Sequence, residues 1–262
     1  MPIQKLTIFH LYPDAMNLYG DRGNVITLVR RMHERAIDVD LIEIKRGDKA
    51  DFKYADIVFM GGGQDRGQKV IAPDLARRTG QIKSEVEKGL VCLTICGGFQ
   101  LFGKYFKTSG GEILEGISIF DAYTVGSDQR CIGNIVIDIS ETLPSLCHSR
   151  AGGNLKTLVG FENHSGLTYL EGNTKPLGKV LTGYGNTGDK TYEGAVYKNC
   201  YGTYLHGPVL PKNPHFADHL IQTAINRRYG SWAPMKKIDD SIEIAAHKAA
   251  IARAKTAKTA HI

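Results

Sequence analysis

The order of apolar segments predicts an α/β domain: an open, mostly parallel sheet flanked by helices, with antiparallel strands added in the second half. Strand-like and helix-like runs alternate through the first two thirds, and the strand-like runs are largely apolar, as in a sheet covered on both faces. Glycine-rich turns close several of them. Residues 6–12 form a buried strand that ends at the loop Leu18-Tyr19-Gly20-Asp21-Arg22-Gly23-Asn24. Val25, Leu28, Val29 and Met32 then recur at helical spacing up to about Ala36. Residues 39–44 are a second strand and 55–60 a third, broken by Gly61-Gly62-Gly63. A helix carrying Ile82 and Val86 closes at Gly89, and 90–95 is the next strand.

Beyond Glu112 the pattern changes to short strand candidates, 117–123 and 132–139 among them, separated by glycine and polar turns. Segments 161–170 and 195–204 continue the β character, and 215–228 is a helix. This is an antiparallel excursion on one domain spanning 3–230, followed by a basic tail or helix over 231–262. From 236 onward the chain carries six basic and three acidic residues. Ile244 and Ile251 lie one heptad apart in an Ala- and Lys-rich stretch, which reads as a frayed, exposed tail or, alternatively, a helix for docking a partner.

Composition narrows the function classes. The 262 residues are 42% hydrophobic and 23% charged, with a net charge of +6, which excludes a disordered chain. No apolar run approaches the ~20 residues of a membrane span. The start Met1-Pro2-Ile3-Gln4-Lys5 leads straight into a strand, without signal-peptide architecture, so a cytoplasmic protein is expected. Five cysteines, an odd number spread widely, predict reduced thiols. Cys92 and Cys96 lack a second pair at zinc spacing, so no structural metal is expected. Nothing pairs basic clusters with interleaved aromatics, and nucleic acid is not an expected partner.

The chemistry concentrates at Leu90-Val91-Cys92-Leu93-Thr94-Ile95-Cys96-Gly97-Gly98-Phe99-Gln100. A thiol on a sharp strand-to-helix turn protrudes at the carboxyl edge of the sheet, where open α/β sheets bind ligands. Helix N-terminal amides there lower its pKa and can donate to an oxyanion. Cys92, inside the strand, is core; the plain alternative for Cys96 is a buried thiol beside a structural turn. A base is offered by Tyr201-Gly202-Thr203-Tyr204-Leu205-His206-Gly207-Pro208, which delivers His206 to another sheet-edge position. Of the other histidines, His10 belongs to a strand, His33, His215 and His219 to helices, and His148 and His164 to loops. The turn 61–67 can aim backbone N–H groups at developing negative charge. Gly183-Tyr184-Gly185-Asn186-Thr187-Gly188 matches a dinucleotide fingerprint in letters only, because β-like sequence follows it; it reads as a hairpin or loop.

In that order, the glycine turn, the Cys-Gly-Gly-Phe-Gln elbow and the late Tyr-Leu-His-Gly resemble class I (triad-type) glutamine amidotransferases, in the cobyric-acid-synthase branch. The 18–24 and 61–67 segments and Gly160-Phe161-Glu162-Asn163-His164-Ser165-Gly166 are most similar to the glutaminase subunits of lipid II isoglutaminyl synthase. The resemblance implies that Cys96 attacks the side-chain amide of L-glutamine and that His206 shuttles protons. It implies an oxyanion hole from Gly97 N–H and the N–H of Gly62 or Gly63. Arg130 resembles the arginine that pairs with the substrate carboxylate, the plain alternative being a surface arginine at a strand start. Gln64 and Gln100 are further candidate substrate contacts. No cofactor and no metal are implied. The implied partner is a MurT-like, Mur-ligase-family subunit that consumes the ammonia, with work close to the inner face of the membrane. Alternatives are the amidotransferase part of a cobalamin-precursor amidase, a catalytically silent amidotransferase-like subunit, and a Cys-dependent peptidase or isomerase on the same fold. One departure stands out. The family's acid two residues beyond the histidine is Pro208 here, so either a Cys–His dyad operates or another acid, Glu162 or Asp14, orients the imidazole.

Overall fold

The structure, a computed structural model, describes residues 4–147, 155–230, 235–256 and 260–261. Four apolar segments become parallel strands: β1 (Lys5–Leu11), β2 (Asp38–Ile44), β3 (Ile57–Met60) and β4 (Val91–Ile95). Between them run α1 (Arg22–His33) and α2 (Asp65–Glu87), and α3 (Gly97–Phe102) follows β4 directly. Every residue of β3 and β4 is buried, as strands covered on both faces must be.

The chain then builds a second, mainly antiparallel sheet from β5 (Tyr105–Lys107), β6 (Ile113–Glu115), β7 (Ala122–Asp138), β8 (Thr157–Leu170), β9 (Gly178–Thr182) and β10 (Tyr192–Glu193), with helix α4 (Pro144–Cys147) between β7 and β8. The β7–β8 pair runs from Ala122↔Leu170 to Asp138↔Thr157, with a bulge between Gly126 and Cys131. From β10 the chain returns to the first sheet as β11 (Ala195–Tyr197) and β12 (Cys200–Thr203), giving the order β11-β12-β4-β3-β1-β2. All neighbours in that sheet are parallel except β11 and β12. Chain direction across the sheet reverses between β1 and β3, and the crevice beyond the carboxyl ends there is where such sheets take ligands.

Helix α5 (Pro214–Tyr229) packs against α1, and α6 (Ser241–Thr256) and the short β13 (Ala260–His261) follow. One apolar core joins both sheets, with Phe99 of α3 edge-on to Phe120 and Tyr204 where they meet.

Three expectations are corrected. Residues 117–121 form no strand: Ile117, Ile119 and Phe120 are buried, and the N–H groups of 117–120 bond to carbonyls of Leu101, Phe102 and Gly103, closing the end of α3. His164 lies within β8 rather than in a loop, and His148 falls outside the described residues. Of the two readings of the last segment, the frayed tail is the one corrected: Ser241–Thr256 is a helix, docked on the chain itself. Arg31 of α1 bonds Asp218 at 2.7 Å and Asp240 at 2.6 Å, and His247 of α6 bonds Lys212 O at 2.8 Å and Thr157 Oγ1 at 2.9 Å. Ala254 of α6 packs on Val136 and Val159. The Gly183–Gly188 segment lies in the hairpin connection between β9 and β10, and Glu162 takes the N–H groups of Tyr184 and Gly185 at 2.6 and 3.0 Å. No helix among the described residues is long and apolar enough to cross a membrane.

Candidate active site

Cys96 sits between the last residue of β4 and the first of α3, at φ 49° and ψ −107°. A non-glycine residue at positive φ stores strain, and this turn aims the side chain off the sheet edge. The following glycines are required by close approach. A Cβ on Gly98 would lie 2.7 Å from Met60 O, and one on Gly97 would lie 2.9 Å from Gly63 O. The glycine turn after β3 and the start of α3 therefore touch backbone to backbone. Cys96 N–H donates to Thr203 O at 2.8 Å, which ties the elbow to the end of β12.

Three residues beyond β12 is His206, fully buried, its backbone paired in both directions with Phe161 of β8. Its ring and the Cys96 side chain flank Gly62: a Cβ there would lie 2.9 Å from His206 Cε1, 3.2 Å from Asp21 Oδ2 and 3.4 Å from Cys96 Cβ. Nδ1 of His206 lies 3.3 Å from Asp21 Oδ1, which leaves Nε2 as the ring atom without a hydrogen-bond partner among the described residues. Burial works against an imidazolium here. The charge of a Cys96 thiolate and the Asp21 carboxylate outweigh it and raise His206 to about 10 from an ordinary 6.5.

Asp21 is the third group. It stands at the start of α1, in the loop that leaves β1, and is fully buried. Neither acid considered from the sequence holds this place: Glu162 caps the Tyr184 and Gly185 amides, and Asp14 is exposed. The signal for Asp21 was its position, since a loop after the first strand opens onto the same carboxyl edge as Cys96 and His206. Pro208 also becomes intelligible. It packs so closely on Gly23 that a Cβ there would lie 2.4 Å from its Cγ, and Leu210 N–H donates to Asn24 Oδ1 at 2.9 Å. The histidine loop is thus clasped to the start of α1, which supplies the acid instead.

The remaining candidates fall into place around these three. Gly62 N–H donates to Asp21 Oδ2 at 2.7 Å, so of the alternatives Gly62 and Gly63 it is Gly63 whose N–H is not taken up by Asp21. Gly97 N–H belongs to the first turn of α3, where helical amides lack intrahelical acceptors. Gln100 is buried with its amide engaged, accepting from Gln68 at 3.0 Å and donating to Tyr204 OH at 3.2 Å. Gln64 is exposed at the N-cap of α2. Arg130 is exposed on β7; its Nε donates to Asn163 Oδ1 at 2.7 Å, and Asn163 in turn donates to Tyr19 OH. The Tyr19 ring lies edge-on to His206 with centroids 4.9 Å apart, so Arg130 stands one side chain away from the base.

A nucleophile on an elbow, an imidazole and an orienting carboxylate are the arrangement of acyl transfer from an amide. Residues 7–214 match the model of the CobB/CobQ-like glutamine amidotransferase domain. The chain belongs to the CobB/CobQ-like glutamine amidotransferase family. It is 42% identical, over 98% of its length and 99% of the relative's, to the lipid II isoglutaminyl synthase (glutamine-hydrolyzing) subunit GatD of Staphylococcus aureus. The GatD subunit of Streptococcus pneumoniae is 39% identical over 90% of this chain and 86% of its own. A glutamine amidotransferase from Thermotoga maritima shares the fold, with a TM-score of 0.53 and 18% identity over 95% of this chain and 92% of that one. As a member of this family, the chain is a glutamine amidotransferase with glutaminase activity.

Proposed function

We propose that this amidotransferase hydrolyses L-glutamine through a Cys96 thioester and passes the ammonia to a MurT-like, Mur-ligase-family subunit, which uses it to amidate the D-glutamate of lipid II. The observation that carries the first half is the convergence of Cys96, His206 and Asp21 around Gly62. The Cys96 thiolate attacks the amide carbon, and the imidazolium of His206 protonates the departing ammonia. His206 then takes a proton from water as the thioester hydrolyses to glutamate. Asp21 holds the ring so that Nε2 faces the reacting atoms. Gly63 and Gly97 N–H groups stabilise the oxyanion of each tetrahedral intermediate, and Arg130 pairs with the substrate carboxylate. Gln64, at the mouth, is a further contact. No step needs a cofactor.

The second half is supported by the two GatD relatives, which are subunits of a glutamine-hydrolyzing synthase acting on lipid II. Because lipid II is membrane-bound, the complex would work close to the inner face of the membrane. The test is glutamate release by the purified chain, with Cys96→Ala and His206→Ala alongside, each with and without the ligase subunit. Loss of turnover in both variants is expected. Turnover that survives Cys96→Ala, or ligase activity on lipid II that does not respond to glutamine in the complex, would overturn the respective half.

A further inference from the structure

The chain leaves the first sheet at Thr203, whose carbonyl accepts the Cys96 N–H, and three residues later presents His206. Between them three backbone N–H groups need acceptors in a dry interior. His206 N–H finds Phe161 O at 2.7 Å. The other two trace back to one side chain. Tyr204 N–H donates to Glu193 Oε1 at 2.6 Å, and Leu205 N–H donates to Thr203 Oγ1 at 3.0 Å. That hydroxyl in turn donates to Glu193, 3.0 Å from each oxygen.

Glu193 reaches this place because β10 ends where the chain crosses back to the first sheet. Asn186 pins the crossing, accepting Gly194 N–H at 2.7 Å and donating to Gly194 O at 2.9 Å. A Cβ on Gly194 would lie 2.5 Å from Gly202 O, so the crossing lies directly against β12. The carboxyl group is fully buried and no lysine or arginine pairs with it among the described residues. Burial raises it to about 8. Of the charged groups facing it, Glu162 on β8 opposes its ionisation and His206 favours it. An acid is costly to bury for structure alone.

We propose that Glu193 is a positioning residue of the glutaminase: by gripping Thr203 and Tyr204 it sets His206 against Cys96. This rests on the roles given above to Cys96 and His206. The carboxyl group is largely neutral near pH 7, so an amide oxygen in its place keeps both grips while a methyl group keeps neither.

The test compares Glu193→Ala, Glu193→Gln and Thr203→Val with wild type, each checked for folding by circular dichroism. Two readouts are used: kcat and KM for glutamine in the complex with the ligase subunit, and the rate at which iodoacetamide alkylates Cys96, located by peptide mass. The alkylation needs neither glutamine nor partner. Glu193→Ala and Thr203→Val are expected to lose on the order of 10–100-fold in kcat, with KM within about threefold and alkylation slowed in parallel. Glu193→Gln is expected to stay near wild type. Folded Glu193→Ala or Thr203→Val with wild-type kcat overturns the proposal, and so does a Glu193→Gln variant as impaired as Glu193→Ala. If Glu193→Ala does not fold, Thr203→Val decides by the same criterion. A Cys96→Ala chain that still releases glutamate is a different failure: it overturns the nucleophile, and with it the reason to position His206.

Discussion

Asp21 divides its carboxylate between two neighbours, one oxygen facing His206 Nδ1 at 3.3 Å and the other taking the Gly62 N–H at 2.7 Å. It therefore fixes the ring and the turn beneath the ring together. Asp21→Asn keeps the size but removes the charge that favours the imidazolium. The expected result is a fall in kcat on the order of 10²-fold or more and a His206 pKa below that of wild type, followed by NMR of the imidazole. An unchanged pKa would show that Asp21 does not act on the ring. Arg130 differs in kind. It is exposed and bonded only to the neutral Asn163 and Tyr19, so its positive charge is unpaired among the described residues. Such a group binds a carboxylate equally in ground and transition states, and Arg130→Ala should raise KM for glutamine by 10-fold or so with kcat little altered. A drop confined to kcat would remove Arg130 from substrate binding.

At the scale of elements, the parallel strands and the Cys96 elbow were legible because their signals are local: apolar runs closed by glycine. Segment 117–121 misled because Ile117, Ile119 and Phe120 are apolar for a different reason, sealing the end of α3. Helix α6 stood in the sequence only as the alternative to a frayed tail, and its docking onto the chain was not legible for another reason. Besides Ala254 on Val136 and Val159, what anchors the segment is polar: Asp240 on Arg31, and His247 on Lys212 O and Thr157 Oγ1. Lys212 belongs to the turn that follows the His206 loop, so the docked segment braces the site from behind. Arg31 is almost fully buried and serves Asp218 as well. Arg31→Ala strands Asp240 and leaves Asp218 to Arg35 alone, and breaking a buried pair of this kind costs about 3–5 kcal/mol. Urea unfolding of this variant should show that loss, with glutaminase activity falling as α6 detaches; a loss under about 1 kcal/mol would mean that the network is solvated.

Over the whole molecule, the site gathers segments far apart in sequence, and those with a motif of their own, around Cys96, around His206 and at the 61–67 glycine turn, announced their chemistry. Asp21 and Glu193 act through the fold, one from the loop after β1 and the other from the crossing between sheets, and no spacing in the sequence marks either. The same burial that hides them gives the molecule a defined response to pH. His215 and His219 are held to about 3 and about 4 by burial, and His10 and His247 are lowered too. Their folded values lie below the unfolded 6.5, so the unfolded chain gains protons first as pH falls, and stability drains away below 6.5. Each such histidine contributes a slope of about 1.4 kcal/mol per pH unit until its folded value is reached. Glu193 acts in the other direction: raised to about 8, it contributes stability below its unfolded value that is lost as pH rises through 4.5–8. Thermal midpoints measured across pH should therefore pass through a maximum near 6.5. His215→Gln, which can still donate to Thr157 O but takes up no proton, should make the acid limb shallower by about one histidine's slope while leaving the alkaline limb unchanged. An acid limb of undiminished steepness in that variant would mean that His215 is already protonated in the folded protein.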